Sequence, residues 1–258
     1  MRIATWNVNS LKARLERVEE WLAYAKPDVL CMQETKLANS AFPAMAFESL
    51  GYESAHHGGG RWNGVAILSR VGLADVVAGF SGETEPDPIE SRLLSADCGG
   101  VQVSSVYVPN GRSLDSEHYQ AKLTWLSDLT DHLTNTCRPD APVAVCGDFN
   151  VAPQDRDVFD PTKFKASTHT SDAERAAIAR LREWGLDDAF RALYDQERLF
   201  SWWDYRAGDF HQGRGMRIDL ILTTQPMMKA ARWGLIDRNA RKGKSPSDHA
   251  PVLIDFEL

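Results

Sequence analysis

The stretch Pro142-Val143-Ala144-Val145-Cys146-Gly147-Asp148-Phe149-Asn150 is an apolar run that stops at a glycine and then presents a carboxylate and a carboxamide. A short β-prone run bounded by turn formers reads as a buried strand covered on both faces. Gly147 permits a bend, or a close backbone approach that a side chain would block. Asp148 and Asn150 stand two positions apart and so project to the same side. A carboxylate and a neutral amide on one rim suit a hydrated cation, or a water and a phosphate oxygen. The plainer alternative is an Asp/Asn turn after a core strand, and the stretch alone does not separate the two.

Outward from that strand, the same form recurs. Arg2 to Asn7 reads as a first strand ending in Asn7-Val8-Asn9-Ser10, with Ser10 as the N-cap of a helix. Leu11, Leu15, Val18 and Leu22 carry that helix to about Ala25, where Lys26-Pro27-Asp28 stops it. Val29-Leu30-Cys31-Met32 is a second buried strand ending in Gln33 and Glu34. Here the bland readings are a turn at Asn7 and a surface pair of Glu34 with Lys36.

His56-His57 open a glycine-rich segment before the strand Val65 to Ser69. No third His or Cys sits at zinc-like spacing, which assigns the pair to a flexible loop tip and leaves Arg61 and Trp62 to contact a nucleic-acid backbone, sugar or base. Gly79 to Glu90 is acidic, rich in Gly and Pro, and reads as the longest loop. Arg92–Asp97 and Val101–Pro109 form a hairpin around Gly99-Gly100. Tyr107, near the end of its strand, is either core packing or a phosphate ligand. Tyr119, Leu123, Leu126, Leu129 and Leu133 mark a long amphipathic helix leading into the opening stretch.

Beyond Asn150 the chain is polar and turn-rich to Thr170. Ser171-Asp172-Ala173-Glu174 has capping-box spacing and starts a helix closed by Gly185. Phe200-Ser201-Trp202-Trp203-Asp204-Tyr205-Arg206 and Gly213-Arg214-Gly215-Met216-Arg217-Ile218-Asp219 interleave aromatics with arginine, which suits stacking on nucleotides and gripping phosphates, while a core aromatic strand claims at least one tryptophan. Asp219 sits in an apolar run where an unpaired carboxylate is costly. Asp248-His249 precede a terminal strand, and because adjacent strand residues point oppositely, another carboxylate must orient this imidazole. Asp219 is the candidate.

Composition bounds the answer. A chain of 258 residues with 43% hydrophobic content buries a large core as one domain. A formal net charge of −7 gives no general attraction to polyanions, so a nucleic-acid partner needs a local basic surface. Cys31, Cys98, Cys137 and Cys146 show no C-x-x-C spacing and read as reduced residues of a cytoplasmic protein. No run approaches membrane-spanning length.

Each polar strand end has a dull explanation alone, but Asn7, Glu34, Asp148 with Asn150, Asp219, and Asp248 with His249 recur together. Strands sharing a rim would gather oxygen ligands of the kind that favour Mg²⁺ or Mn²⁺ over zinc. Without a Walker loop, a kinase signature or a G-x-S-x-G elbow, metal-assisted attack of water on a phosphodiester is the most economical chemistry.

The strings TWNVNSL, DVLCMQETK, WNGVAILSR, YVPNGR, CGDFNVAP, FSWWDYR, GRGMRIDLIL and PSDHAPV resemble, in order and across essentially the whole chain, the exodeoxyribonuclease III family of abasic-site endonucleases. The resemblance implies a four-layered α/β sandwich of two packed mixed β-sheets flanked by helices, with the site at one end. It makes Glu34 the principal metal carboxylate, with Asp248 near the metal and Asn7 holding Asp248 or a water. Asp148 would activate the water, Asn150 would hold a phosphate oxygen, Tyr107 would donate to the scissile phosphate, and His249, held by Asp219, would stabilise phosphoryl charge. Trp202 or Trp203, with Met216 and Ile218, would wall a pocket for an extruded abasic sugar. Arg61, Asn110, Arg112 and Arg217 are candidate backbone contacts or, equally, solvated surface groups.

The implied enzyme is a monomeric DNA-repair nuclease acting at abasic sites and at 3′ ends of duplex DNA. Asn9 departs from the family pattern, where some relatives carry a second acid, and favours one dominant metal ion. The rival readings are a superfamily enzyme acting on a small phosphorylated substrate and a DNA-binding protein that has lost catalysis.

Overall fold

A computed structural model describes residues 1–80, 91–165 and 167–258, so most of the acidic stretch expected to be loop, 81–90, lies outside the described residues. One sheet contains β1 (Arg2–Asn7), β2 (Val29–Gln33), β3 (Glu53–His57), β4 (Val65–Ser69), β11 (Ala231–Ile236) and β12 (Val252–Phe256), in the order β11-β12-β1-β2-β4-β3. The other contains β5 (Ala74–Ala78), β6 (Leu93–Cys98), β7 (Val101–Tyr107), β8 (Val143–Asp148), β9 (Leu186–Asp188) and β10 (Asp219–Thr224), in the order β5-β6-β7-β8-β10-β9.

Each sheet is built around one parallel pair. The helix Leu11–Ala25 carries the chain from β1 to parallel β2, and the helix Glu117–Thr136 carries it from β7 to parallel β8. A parallel pair needs such a crossover, and the helix then covers the sheet. Period-two alternation divides the side chains between the two faces. Ile3, Cys31, Ala144, Cys146 and Ile221 meet in the seam between the sheets. On the outer faces, Trp6, Leu30 and Met32 pack against Leu11, Val18 and Leu22, while Val145, Leu220 and Leu222 pack against Leu126, Leu129 and Leu181. The result is the four-layered sandwich.

Strand direction explains why polar groups gather at one end. Parallel β1 and β2 finish at Asn7 and Gln33, and parallel β7 and β8 finish at Tyr107 and Asp148. The antiparallel neighbours β12 and β10 begin at that same rim, just after His249 and at Asp219. Tyr107, Asp148 and Asp219 are direct cross-strand partners, so they stand side by side on one face. Asp148 shares its parity with Cys146 and therefore opens into the seam. Gly147, between them, points the other way, where a Cβ would lie 1.9 Å from the Val106 carbonyl oxygen. Only glycine lets β7 approach β8 there.

Two local expectations are corrected. Ser10 has a left-handed φ of 83° and its side chain caps nothing; the helix entrance is held by main-chain bonds from Ser10 N to Glu34 O (2.7 Å) and from Leu11 N to Thr35 O (2.9 Å). His56 and His57 do not form a loop tip, because they complete β3. His56 stacks on Phe42 at 4.4 Å and bonds Thr35 and Asn39, which fixes it as a packed group. Burial pushes its pKa down to about 4. The capping box at Ser171 and Glu174 is present, and Gly185 ends that helix. No described helix is long and apolar enough to cross a membrane.

Candidate active site

Down the seam the side chains change character in steps. Thr5 and Ser105 stand level with Cys31 and Cys146, and Gln33, one step further along, bridges them: Thr5 Oγ1 donates to Gln33 Oε1 (3.2 Å) and Gln33 Nε2 to Ser105 Oγ (3.1 Å). The charged groups stand at that further level. Asn7 Nδ2 donates to Glu34 Oε1 (2.8 Å) and to Asp148 Oδ2 (2.9 Å), while its Oδ1 accepts from Asn9 N (3.0 Å), which fixes the amide orientation. One amide from the first sheet thus clamps a carboxylate of each sheet. The Tyr107 hydroxyl bonds Glu34, and burial beside the Glu34 and Asp148 charges pushes its pKa well up, so it remains a donor.

His249 Nδ1 lies 2.8 Å from Asp219 Oδ2 and 3.0 Å from Oδ1, and Ser201 Oγ donates to the same carboxylate at 2.6 Å. His249 Nε2 stands 3.8 Å from Asp148 Oδ2. Burial alone would lower the imidazole pKa, but the carboxylates of Asp219 and Asp148 outweigh it and raise it to about 10. Burial also dominates at Asp148 and pushes it up to about 7 against the attraction of His249, with Asp219 and Glu34 adding to the rise. Asn150, at φ 51°, gives its Nδ2 to Val108 O (2.9 Å) and accepts from Asn110 Nδ2 (3.2 Å), while its main-chain N–H holds Asp148 Oδ1 at 2.9 Å.

A model of the endonuclease/exonuclease/phosphatase family matches residues 4–249, a span that runs from the first strand through His249. The chain belongs to that family. It is 34% identical to exodeoxyribonuclease III of Haemophilus influenzae over all of both chains. Among solved structures it is similar to an AP endonuclease from Archaeoglobus fulgidus (39% identity, TM-score 0.95) and to the 3′ phosphatase NExo from Neisseria bound to a product DNA hairpin (37% identity, TM-score 0.94), each covering all of both chains.

Endonuclease/exonuclease/phosphatase enzymes depend on a divalent metal, and the residues here suit one. Among the described residues, Glu34, Asp148 and His249 each offer a ligand atom within 4.8 Å of the others. The Asp219 and Asp148 carboxylates favour the protonated His249 ring, a form with no lone pair to give, so Glu34 and Asp148 are the candidate oxygen donors. Oxygen donors of this kind fit a hard divalent ion. Asp248, expected near the metal, has both oxygens engaged, by Asn9 Nδ2 (3.0 Å) and Trp202 Nε1 (3.1 Å). Asn9, not Asn7, holds it.

The remaining candidates separate by strand parity. Trp202 packs with Ala152, Val158, Met216 and Ile218. Trp203 points the opposite way, 1% exposed against Phe210 and beneath Arg238 and Arg241, so it lines the core instead of a pocket. Arg217 lies between Met216 and Ile218 and likewise points away. It is 1% exposed and paired with Asp157 (2.8 Å) and Asp188 (2.7 Å), which fits neither alternative read from the sequence, a DNA-backbone contact or a solvated surface charge. Arg61, Asn110 and Arg112 are exposed.

Of two further engaged residues, Lys36 was read from the sequence as a partner of Glu34 and does pair with it, while Lys122 was not singled out. Lys36 Nζ sits 2.9 Å from Glu34 Oε2 and donates to Asn9 Oδ1 at 2.6 Å. Lys122 is wholly buried in the helix Glu117–Thr136. Its signal was present, since it falls three residues after Tyr119 and four before Leu126, on the helix's apolar stripe.

Proposed function

We propose that this chain is a DNA-repair nuclease that uses Mg²⁺ or Mn²⁺ to hydrolyse the phosphodiester on the 5′ side of an abasic site and phosphoester bonds at the 3′ ends of duplex DNA. One observation carries this reading: the buried His249 ring, held by Asp219 at 2.8 Å, faces Asp148 at 3.8 Å, with Glu34 close enough to share an ion with them.

Asp148 accepts the proton of the attacking water, and Asn7 and the Asn150 N–H hold its two oxygens in place. As the water oxygen bonds to phosphorus, the bond from phosphorus to the 3′ oxygen breaks and its electron pair stays on that oxygen, which takes a proton from solvent, leaving a 3′-hydroxyl and a 5′-phosphate. His249 Nε2–H and the Tyr107 hydroxyl donate to the phosphoryl oxygens, where charge develops. The Asn150 carboxamide, with a second N–H beyond its bond to Val108, holds the phosphate in line. Glu34 would chiefly hold the divalent ion, whose contribution would be Lewis-acid neutralisation of charge at the phosphoryl group. Trp202, with Met216 and Ile218 behind it, offers an apolar wall to a sugar that has no base, and extrusion costs least where pairing is already lost. Exposed Arg61, Asn110 and Arg112 supply backbone contacts.

The test compares a duplex with one abasic site, a blunt undamaged duplex and a 3′-phosphate end, each with Mg²⁺, with Mn²⁺ and with EDTA. Cleavage of the first and third that EDTA abolishes is expected. Turnover of small phosphoesters in preference to all of these DNAs would overturn the reading.

A further inference from the structure

Behind the Asn150 turn lies a charged pair that the reaction itself does not use. Lys122 and Glu174 form an ion pair with both side chains at 0% exposure. The Lys122 ammonium also donates to Asn150 O (2.6 Å), Asn110 O (3.3 Å) and Thr168 Oγ1 (3.4 Å). Glu174 in turn accepts from Thr168 Oγ1 (2.8 Å), His169 N (2.9 Å), and Ser171 N and Oγ (3.0 and 2.7 Å). Thr168 Oγ1 is itself 3.0 Å from Asn110 O, and His169 Nδ1 reaches Asn150 O at 2.5 Å.

The acceptors are the unusual part. Asn110 and Asn150 come from two different turns, one after β7 and one after β8, and their side chains meet at 3.2 Å at the mouth of the site. Both turns use left-handed backbone, at Asn150 (φ 51°), Gly111 (φ 88°) and Arg112 (φ 58°), so neither is held by a sheet ladder. A buried ion pair contributes little net stability compared with apolar residues of the same volume. An apolar filler would, however, leave the Asn150 and Asn110 carbonyls without the ammonium that gathers them. Gly111 closes tightly over the lysine stem, where a Cβ would lie 3.1 Å from Lys122 Cδ and 2.8 Å from Thr168 Oγ1.

We propose that the Lys122–Glu174 pair is a positioning element of the active site, tying the Asn110 and Asn150 turns together from behind and so fixing the reach of the Asn150 carboxamide toward the scissile phosphate. The proposal rests on the nuclease reading above. Lys122 touches neither substrate nor metal ligands, so its removal acts on the chemical step through Asn150 with the metal requirement unchanged, and any change in DNA affinity comes through the Asn110 turn and stays within that of Asn110→Ala.

The experiment is a double-mutant cycle. Lys122→Met with Glu174→Gln removes the charges together, avoiding an orphaned buried ion, and the carboxamide introduced by Glu174→Gln retains an oxygen for the Ser171 N–H at the start of its own helix. Single-turnover incision of abasic duplex, at saturating DNA and Mg²⁺, is measured beside DNA Kd and Tm. The expected result is a loss of about 100-fold in rate at saturating DNA, the scale of a small misplacement of a catalytic group, with Kd raised no more than by Asn110→Ala. In an Asn150→Ala background the same pair of changes should cost little more, because the group they position is already gone. An equal loss in both backgrounds, or an unchanged rate in the folded protein, overturns the proposal. Thr168→Val, which removes one strut and keeps the ion pair, runs the same cycle should the double variant not fold. Wild-type incision is the separate control: its absence sinks the nuclease reading, while the cycle is still read on whichever phosphoester the wild type hydrolyses.

Discussion

His249 Nδ1 lies 2.8 Å from Asp219 Oδ2, and the far nitrogen of the same ring faces Asp148 at 3.8 Å, so one imidazole sits between two carboxylates of neighbouring strands. Asp219→Asn keeps the shape and removes the charge that keeps the ring protonated. A fall in kcat of about 10² to 10⁴ is expected, the usual contribution of a positioned proton donor. The alkaline limb of the pH profile should also move down from about 10 toward the ring's ordinary 6.5. An Asp219→Asn protein with wild-type kcat and profile would falsify the donor role.

Activity needs Asp148 ionised and His249 protonated. With Asp148 raised to about 7 by burial and His249 held at about 10, kcat/KM should rise as pH climbs through about 7 and decline near 10. A bound divalent cation favours the ionised carboxylate and shifts the lower limb to more acidic pH. The stability linkage has a definite sign. The folded His249 pKa lies above the unfolded value, so its contribution is complete below about 6.5 and disappears as pH rises through about 10. Chemical denaturation from pH about 6 to about 10.5 reads this, and His249→Gln should flatten that segment.

His169 titrates in the opposite sense. Burial, then the nearby Lys122 charge, lowers its pKa to about 4. Stability from the neutral ring is present above the ordinary 6.5 and is lost as pH falls toward 4. His169→Asn should shift the acid-unfolding midpoint to lower pH, as followed by circular dichroism.

Arg217 and Arg112 make a contrast. Arg217→Leu breaks a buried pair with Asp157 and Asp188 and should cost about 3–5 kcal/mol of stability. Arg112→Ala should leave Tm in place, weaken DNA binding, and reduce the slope of log K against log salt by about 1. Salt titrations of both variants check the assignment, and a shallower slope for folded Arg217→Leu would refute it.

Lys36 holds the outer oxygen of Glu34 at 2.9 Å, the place where a cation would draw on that carboxylate. Removing a competing positive charge favours the metal. Lys36→Gln should therefore reach half-maximal activity at a lower Mg²⁺ concentration than the wild type, with the sign reversed if Lys36 instead props Glu34 in its binding rotamer.

Much of this was legible in the sequence because strand ends carry directional information. Asp219 as partner to His249 followed from period-two geometry: Asp248 had to point away from its neighbour's ring, and it does, toward Asn9 and Trp202. The four-layered fold came from ordered motifs, since alternation alone cannot say which sheet a strand joins. Two choices were left open for a shared cause. Residue type alone does not say which tryptophan the core takes, and it offered Arg217 to the DNA or to solvent; both Trp203 and Arg217 face inward, and an arginine flanked by Asp157 and Asp188 becomes visible only once distant turns are brought together. Lys122 was hidden because a lysine on an apolar stripe is ordinarily a side chain that snorkels to water.

The change along the seam, from the level of Cys31, Cys146, Thr5 and Ser105 to that of Gln33, Glu34 and Asp148, makes core volume a tuning variable for the chemistry. The gap spanned by the Asn7 amide is set by how thick the hydrocarbon layer below it is, since interiors are close-packed and transmit strain. A methylene added at position 146 or 31 would work as a shim, prying the two carboxylates apart without touching either. Catalytic spacing in this molecule can therefore drift, or be selected, through residues that never meet solvent or substrate.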